Sequence, residues 1–488
     1  MRKIKIKASK NRLILYAFLI VVLIPLVVGI YNVFKPIPEG ISYEGKTHNI
    51  SDSDITFLYD LNYRGVDGEN VIEQQIFDNI FKIINESERF IVIDMFLFNQ
   101  DYTSPELIPI TSELKDALIE KKKAKPGMNI TFITDEINNF YGSYTAEHLL
   151  EMRESGIDVI ITDLRPLRDS NPAWSSIWRS YVQWFGTSGE GWIKHPLGNT
   201  AHNVTIRAIM KVLNAKANHR KLIVADSGES VMSLVTSANP HEGSSKHSNT
   251  AVIMRGRIGL DILQAEEAVA RMSNSEVKYS LNYLNDSGIN AGEIEVQFLT
   301  EGKIERSLLK EIASAKSGDS IDIAMFYLSD RDIVREILRA HERNVSVRLV
   351  LDPNKDAFGR EKNGIPNRQV AYELFEKSNG KIQIRWYSTR GEQFHTKIVI
   401  IRKNGRVIIF IGSANLTKRN IGNLNLEANV RIEAPIGSDF ERKVSEYYGR
   451  IWNNQGGEYT LEFESYKDSS FSKYIRYRAQ EFTGLSTF

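Results

Sequence analysis

A short pattern that occurs twice constrains this chain more than any other feature. Residues 394–430 read FHTKIVIIRKNGRVIIFIGSANLTKRNIGNLNLEANV. His395 and Lys397 stand two apart at the head of an apolar run, Ile398 to Ile401. A period of two puts both side chains on one face of a strand. Lys403-Asn404-Gly405 predicts a tight turn into a second strand, Val407 to Ile411, followed by Ser413-Ala414-Asn415 and, further on, Glu427. The same order occurs earlier: His219, Lys221, an apolar run Leu222 to Val224, Asp226, then Ser237-Ala238-Asn239. One His-x-Lys is a chance event and reads as surface. Two, each with a strand and Ser-Ala-Asn behind it, predict a duplicated unit.

The secondary-structure pattern around the motifs is duplicated as well. Ile55–Tyr59 reads as a strand, Val71–Ile84 as a helix and Arg89–Phe96 as a strand. Val296–Leu299, Ile304–Ala315 and Ile321–Tyr327 repeat that order. Each half continues with a helix (107–122; 330–341), a strand ending in Asp135 or Asp352, and a further helix and strand (147–163; 370–387). Helices at 261–272 and 440–452 close the halves, and the division falls in a turn-rich stretch at 283–288. Strands alternating with helices predict an α/β fold with mixed, mostly parallel sheets flanked by helices. The expected layout is a basic terminus and anchor at 1–35, a linker at 36–50 and a first lobe at 51–284. A second lobe at 285–465 and a tail at 466–488 follow.

His-x-Lys-x4-Asp followed by Gly-Ser-x-Asn, twice in one chain, resembles the phospholipase D superfamily. The resemblance covers most of the chain beyond the first fifty residues or so. It implies two lobes packed as a pseudo-dimer in one monomer, with both motifs at their interface. It also implies a phosphodiesterase or phosphatidyltransferase needing no cofactor and no metal. His219 would attack phosphorus to give a phosphohistidine, and His395 would protonate the leaving alcohol. Lys221, Lys397, Asn239 and Asn415 would hold the phosphate, assisted by Ser237 and Ser413. The residue types suit the chemistry: Lys and amide donors neutralise a phosphodiester, and an imidazole serves as nucleophile or acid near neutral pH. Asp226 would support the first motif; the second has Arg402 in that place, which predicts weaker support there. Glu427 would orient His395. The matching position in the first half is Asn249, which leaves the orienter of His219 open, and Thr236 replaces the first glycine.

The resemblance admits several substrates. Water as acceptor gives a phospholipase; phosphatidylglycerol gives a cardiolipin synthase, an activity whose enzymes usually carry two amino-terminal spans where this chain has one. A single-strand nuclease of the same superfamily is the alternative enzyme. A catalytically silent membrane scaffold is the alternative class, favoured by Arg402 and Asn249.

Composition narrows the setting. Lys plus Arg number 62 and Asp plus Glu 61, which argues against a bulk nucleic-acid binder. The absence of cysteine excludes disulfides, thiolate zinc sites and a catalytic thiol. A basic start, Arg2 to Arg12, precedes an uncharged stretch, Leu13 to Phe34, long enough to cross a bilayer. With no A-x-A-like cleavage site after it, the stretch predicts a retained single-pass anchor. The positive flank should stay cytoplasmic and the catalytic region extracytoplasmic, at the cell membrane. An insert at 165–217 in the first lobe holds four of the six tryptophans: Trp174, Trp178, Trp184 and Trp192. Two readings stand side by side: an active-site lid that touches lipid, or a subdomain with its own aromatic core. His195, His202, His241 and His247 lack metal-ligand spacing and read as surface or loop residues. Asp135 and Asp352 read as structural caps.

Overall fold

The computed structural model describes residues 2–199, 202–284, 292–357, 360–486 and 488. The expected division at 283–288 falls mostly on 285–291, outside the described residues.

Two mixed sheets carry the same strand order. The first runs Ile55–Gly65, Asn249–Arg255, Ser230–Thr236, Lys221–Ser227, Phe90–Met95, Asn129–Thr134, Asp158–Ile161. The second runs Ile294–Thr300, Ala428–Pro435, Arg406–Gly412, Lys397–Lys403, Ser320–Met325, Ser346–Leu351, Gln383–Tyr387. The sheets are not mostly parallel as expected. In each lobe only the pairings made through helical crossovers are parallel. The motif hairpins reverse the chain, so the other neighbours in that order are antiparallel. The hairpin of the second motif turns at Asn404 and Gly405, both at positive φ (53° and 73°), as an Asn-Gly turn requires.

Period-two alternation explains how the sheets stack. Leu222 and Val224 face a central core with Ile398 and Ile400, and this core lies between the two sheets. Their neighbours Ile223 and Ala225 face the first lobe's outer core, and Val399 and Ile401 the second lobe's. Strands apolar on both faces therefore form a layered body, with helices on the outer face of each sheet and two further helices sharing the space between the sheets. Helices Ile258–Met272 and Asp439–Trp452 pack on the central core through Ile262, Val269, Val444 and Tyr447.

Three expectations change. The supposed linker holds a strand, Glu44–Ile50, which pairs with Ile294–Thr300 of the second sheet. In the other direction, Gly457–Glu458 pairs with Arg64–Gly65 of the first, so each sheet borrows an edge from the far end of the chain. The supposed tail holds a helix, Phe471–Thr483, anchored by buried Tyr477, whose hydroxyl donates to the Ser329 carbonyl at 2.8 Å. The helix expected at 71–84 is instead a strand, Asn70–Glu73, and a helix, Ile76–Glu86. Asp60 accepts the N–H groups of Gln75 and Ile76, starting the helix later than its apolar spacing suggests.

The amino-terminal helix spans Arg2–Phe34, with an apolar stretch Asn11–Phe34 of 24 residues that is long enough to cross a membrane and is scarcely covered by the rest of the chain.

Candidate active site

Each histidine sits just before its motif strand, and both lobes hold it in the same way. Asp135, at the end of one strand, accepts the N–H of Asn218 at 2.6 Å; Asp352, its counterpart, accepts that of Phe394 at 2.8 Å. These carboxylates fix the backbone one residue ahead of His219 and His395, which gives the expected caps a specific target. Lys221 Nζ donates back to the His219 carbonyl at 2.7 Å, and Lys397 Nζ to that of His395 at 2.9 Å. A phenylalanine ring lies against each pair. Phe96 is 4.8 Å from the His219 ring and 4.9 Å from Lys221 Nζ; Phe326 is 5.0 Å from the His395 ring and 5.3 Å from Lys397 Nζ.

The lobes meet at these residues. The backbone before His219 bridges to Leu426, and the backbone before His395 bridges to Ser248. His219 N–H donates to the Leu426 carbonyl at 2.9 Å, and Ser248 N–H to that of Gln393 at 3.2 Å.

This contact exchanges the expected orienters. Glu427 does not hold His395. It faces His219 of the other lobe, with Nδ1 2.9 Å from Oε1 and 3.0 Å from Oε2. Asn249 of the first lobe in turn accepts from His395 Nδ1 at 3.1 Å. Spacing along the chain cannot reveal this, because the partners lie on opposite lobes. The serines have a different task from the expected one. Ser413 Oγ donates to Glu427 Oε2 at 2.5 Å and Ser237 Oγ to Asn249 Oδ1 at 2.9 Å, so each hydroxyl proton is spent on fixing an orienter.

The remaining expected residues fall into two groups. Asn239 and Asn415 are buried at the ends of their motif loops. Asn239 Oδ1 accepts weakly from Leu97 N–H at 3.4 Å, and Asn415 Oδ1 has no hydrogen-bond partner among the described residues. Asp226 lies at the far end of its strand, where it accepts the N–H groups of Glu88, Arg89 and Phe90. Its work is to hold the start of the strand Phe90–Met95. Arg402 replaces it without leaving a gap: the guanidinium pairs with Asp322 at 2.7 Å and donates to Ser445 Oγ at 2.7 Å. Support at the second motif is therefore exchanged for an ion pair rather than weakened. Thr236 is tolerated where Gly412 is required. A Cβ at Gly412, with φ of 156°, would stand 2.2 Å from the Ala428 carbonyl oxygen.

Sequence reasoning missed the two phenylalanines, and also Arg220. Between His219 and Lys221 it points inward, wholly buried, pairing with Glu266 at 2.9 Å and with Glu301 of the second lobe at 2.8 Å. Glu301 also accepts the N–H of Glu427 at 3.0 Å, so one buried ion pair ties the His219 backbone to its orienter. The extra histidines lie in loops, as expected; His202 is exposed, whereas His195, His241 and His247 are buried, and the His247 ring lies 6.0 Å from that of His395.

The site gathers more basic groups than acidic ones. Burial pushes His219 down to about 4 against the pull of Glu427. Burial, and then the charge of Lys397, holds His395 well below its ordinary value, with Lys221 and His219 adding to the effect. Burial pushes Lys221 down to about 7, and burial together with Lys221 depresses Lys397. The mutual repulsion of groups from both lobes means they occupy one site, and an anion placed there relieves it. This gives a sign. Below about pH 7 Lys221 is charged in the free protein; above it, binding an anion requires uptake of a proton. Tungstate, which is a dianion throughout, should therefore bind more weakly as pH rises from 7 to 8.5, by up to about tenfold per pH unit. Calorimetry that gives one affinity across this range would show that Lys221 does not titrate against the ligand.

Residues 308–452 match the family model described as cardiolipin synthase, PLD-like domain. Among solved structures, phosphatidylserine synthase from Haemophilus influenzae Rd KW20 shares 12% identity at a TM-score of 0.58, covering 90% of this chain and 97% of that one. A phospholipase D family member, Nuc from Salmonella typhimurium, shares 23% identity at a TM-score of 0.27, covering 34% of this chain and 98% of that one. A yeast tyrosyl-DNA phosphodiesterase shares 10% identity at a TM-score of 0.39, covering 77% and 90%. No curated protein sequence matches the chain. The chain has the phospholipase D-like α/β fold.

Proposed function

We propose that this protein is a membrane-anchored phosphodiesterase that hydrolyses or transfers the phosphatidyl group of phospholipids through a phosphohistidine. The observation that carries the reading is the crossed pair of histidines, each held by the opposite lobe and each backed by a buried lysine. His219 Nε2 attacks phosphorus. The P–O bond to the alcohol breaks, and His395 Nε2 gives its proton to the departing oxygen. The Glu427 carboxylate balances the positive charge that the imidazole of His219 acquires when the N–P bond forms. Lys221 and Lys397 offset the charge of the phosphoryl oxygens, and Asn239 and Asn415 supply amide donors. His395 then takes a proton from water or an acceptor alcohol, which attacks phosphorus and frees His219. The phosphate anion itself raises the proton affinity of His395, supplying the acid that the empty site disfavours.

The amino-terminal helix favours lipid over nucleic acid. Packed on the insert beside the lobes, it would keep the site next to a bilayer, with the amino terminus cytoplasmic and the lobes outside. The test uses the full chain in detergent with chelator present, offered labelled phosphatidylcholine, phosphatidylglycerol and single-stranded DNA. Phosphatidic acid or cardiolipin as product supports the proposal. Cleavage of DNA alone would replace it with a nuclease, and no product from any of the three would leave a scaffold.

A further inference from the structure

We propose that the helical segment Pro172–Phe185 of the insert is immersed in the hydrocarbon core of the membrane, entering from the side of the catalytic lobes and reaching about its middle, packed along the anchor helix with its exposed face toward acyl chains. The proposal rests on the reading that Asn11–Phe34 spans a bilayer.

The argument begins with length. The 24 residues of the anchor rise about 36 Å, against a hydrocarbon core of roughly 30 Å. Only about four residues are spare, so wherever the bilayer sits along this helix, Val21 is inside it. The insert reaches that depth. Tyr181 donates its hydroxyl to the Val21 carbonyl at 2.6 Å. Closer to the lobes the two helices nearly touch: a Cβ on Gly29 would stand 3.0 Å from that of Ser176. Small residues facing one another are how helices pack within lipid, where apolar burial gives no drive to associate.

Polar side chains on the segment other than buried Ser175 are satisfied from within it or by its immediate neighbours. Trp184 Nε1 donates to the Ser180 carbonyl at 3.2 Å, Ser180 Oγ to that of Ser176 at 2.7 Å, and Ser176 Oγ to that of Ala173 at 3.1 Å. Gln183 Nε2 donates to the Arg179 carbonyl at 2.8 Å, and Arg179 is paired with buried Asp169 at 2.8 Å. Lipid imposes this pattern, since it offers no hydrogen bonds of its own. What remains outward is apolar: Ile177 is 44% exposed, Trp184 75% and Phe185 73%. The small core that the insert shares with Phe140, through Val204 and Ala208, does not include Trp184 or Phe185. At Gly186 the chain turns back and Arg207 donates to the carbonyls of Gly186 and Ser188, which ends the apolar face.

The chain has no cysteine, so single labels are unambiguous. Full-length Phe185→Cys, Val27→Cys and Glu113→Cys would be nitroxide-labelled and placed in phosphatidylcholine–phosphatidylglycerol vesicles. Collision with oxygen, which concentrates in lipid, is compared with collision with a nickel chelate, which stays in water. Labels at 27 and 185 should favour oxygen and the label at 113 nickel. A lipid-exposed label at 27 with a nickel-accessible one at 185 would overturn the insertion and keep the anchor. A nickel-accessible label at 27 would overturn both.

Discussion

His219→Ala and His395→Ala will each remove phosphodiester turnover, by roughly 10⁴-fold or more, and the double variant will be no worse than the poorer single one. The reason is geometric. A nucleophile without an acid leaves an alkoxide that does not depart, and an acid without a nucleophile has nothing to assist. In the proposed mechanism the two imidazoles act in sequence on one phosphorus, so their losses do not add. Rapid-quench trapping separates the roles. His219→Ala should form no acid-labile phosphoenzyme, whereas His395→Ala should form one slowly from a substrate whose leaving group needs no proton, such as a p-nitrophenyl phosphodiester. A phosphoenzyme in His219→Ala would assign the nucleophile to His395. Turnover near the normal rate in either single variant would remove the two-histidine mechanism altogether.

How much of this was legible in the sequence depends on whether a residue and its partner lie on one element. The duplication, the hairpin at Asn404-Gly405, and the pairs His219–Lys221 and His395–Lys397 are local patterns of period two, and they appear where they were expected. Glu427 was found as a residue but given the wrong histidine, because spacing says nothing about which lobe a strand end faces. Arg402 looked like a defect because its new partner, Asp322, lies on the neighbouring strand and is eighty residues away in the chain. Edge strands Glu44–Ile50 and Gly457–Glu458 were missed for the same reason: each pairs with the other half of the chain. The tryptophans of the insert were noticed, but composition alone could not separate inward Trp178 from outward Trp184. Only the packing against Val21 and Gly29 does that.

The crossed orienters make the two motifs separately addressable. Glu427→Gln removes the charge beside His219 while keeping its shape, and the amide can hold the wrong tautomer. The expected result is a loss of roughly 10³- to 10⁴-fold in kcat, the scale seen when a carboxylate that orients a catalytic imidazole becomes an amide. Asn249→Asp does the opposite at His395, placing a carboxylate where Oδ1 now lies 3.1 Å from Nδ1. In the native site His395 is held well below its ordinary value by burial and by Lys397, so the protonated acid is scarce and kcat/KM should fall with rising pH from the acid range onward. A nearby carboxylate favours the imidazolium, and the falling limb should move to higher pH by a unit or more. Glu427→Gln should lower the plateau and leave that limb where it is. If instead Glu427→Gln shifts the limb and Asn249→Asp leaves it in place, the acid is His219 and the nucleophile His395, with the crossed geometry intact. If neither substitution moves it, the limb belongs to neither histidine.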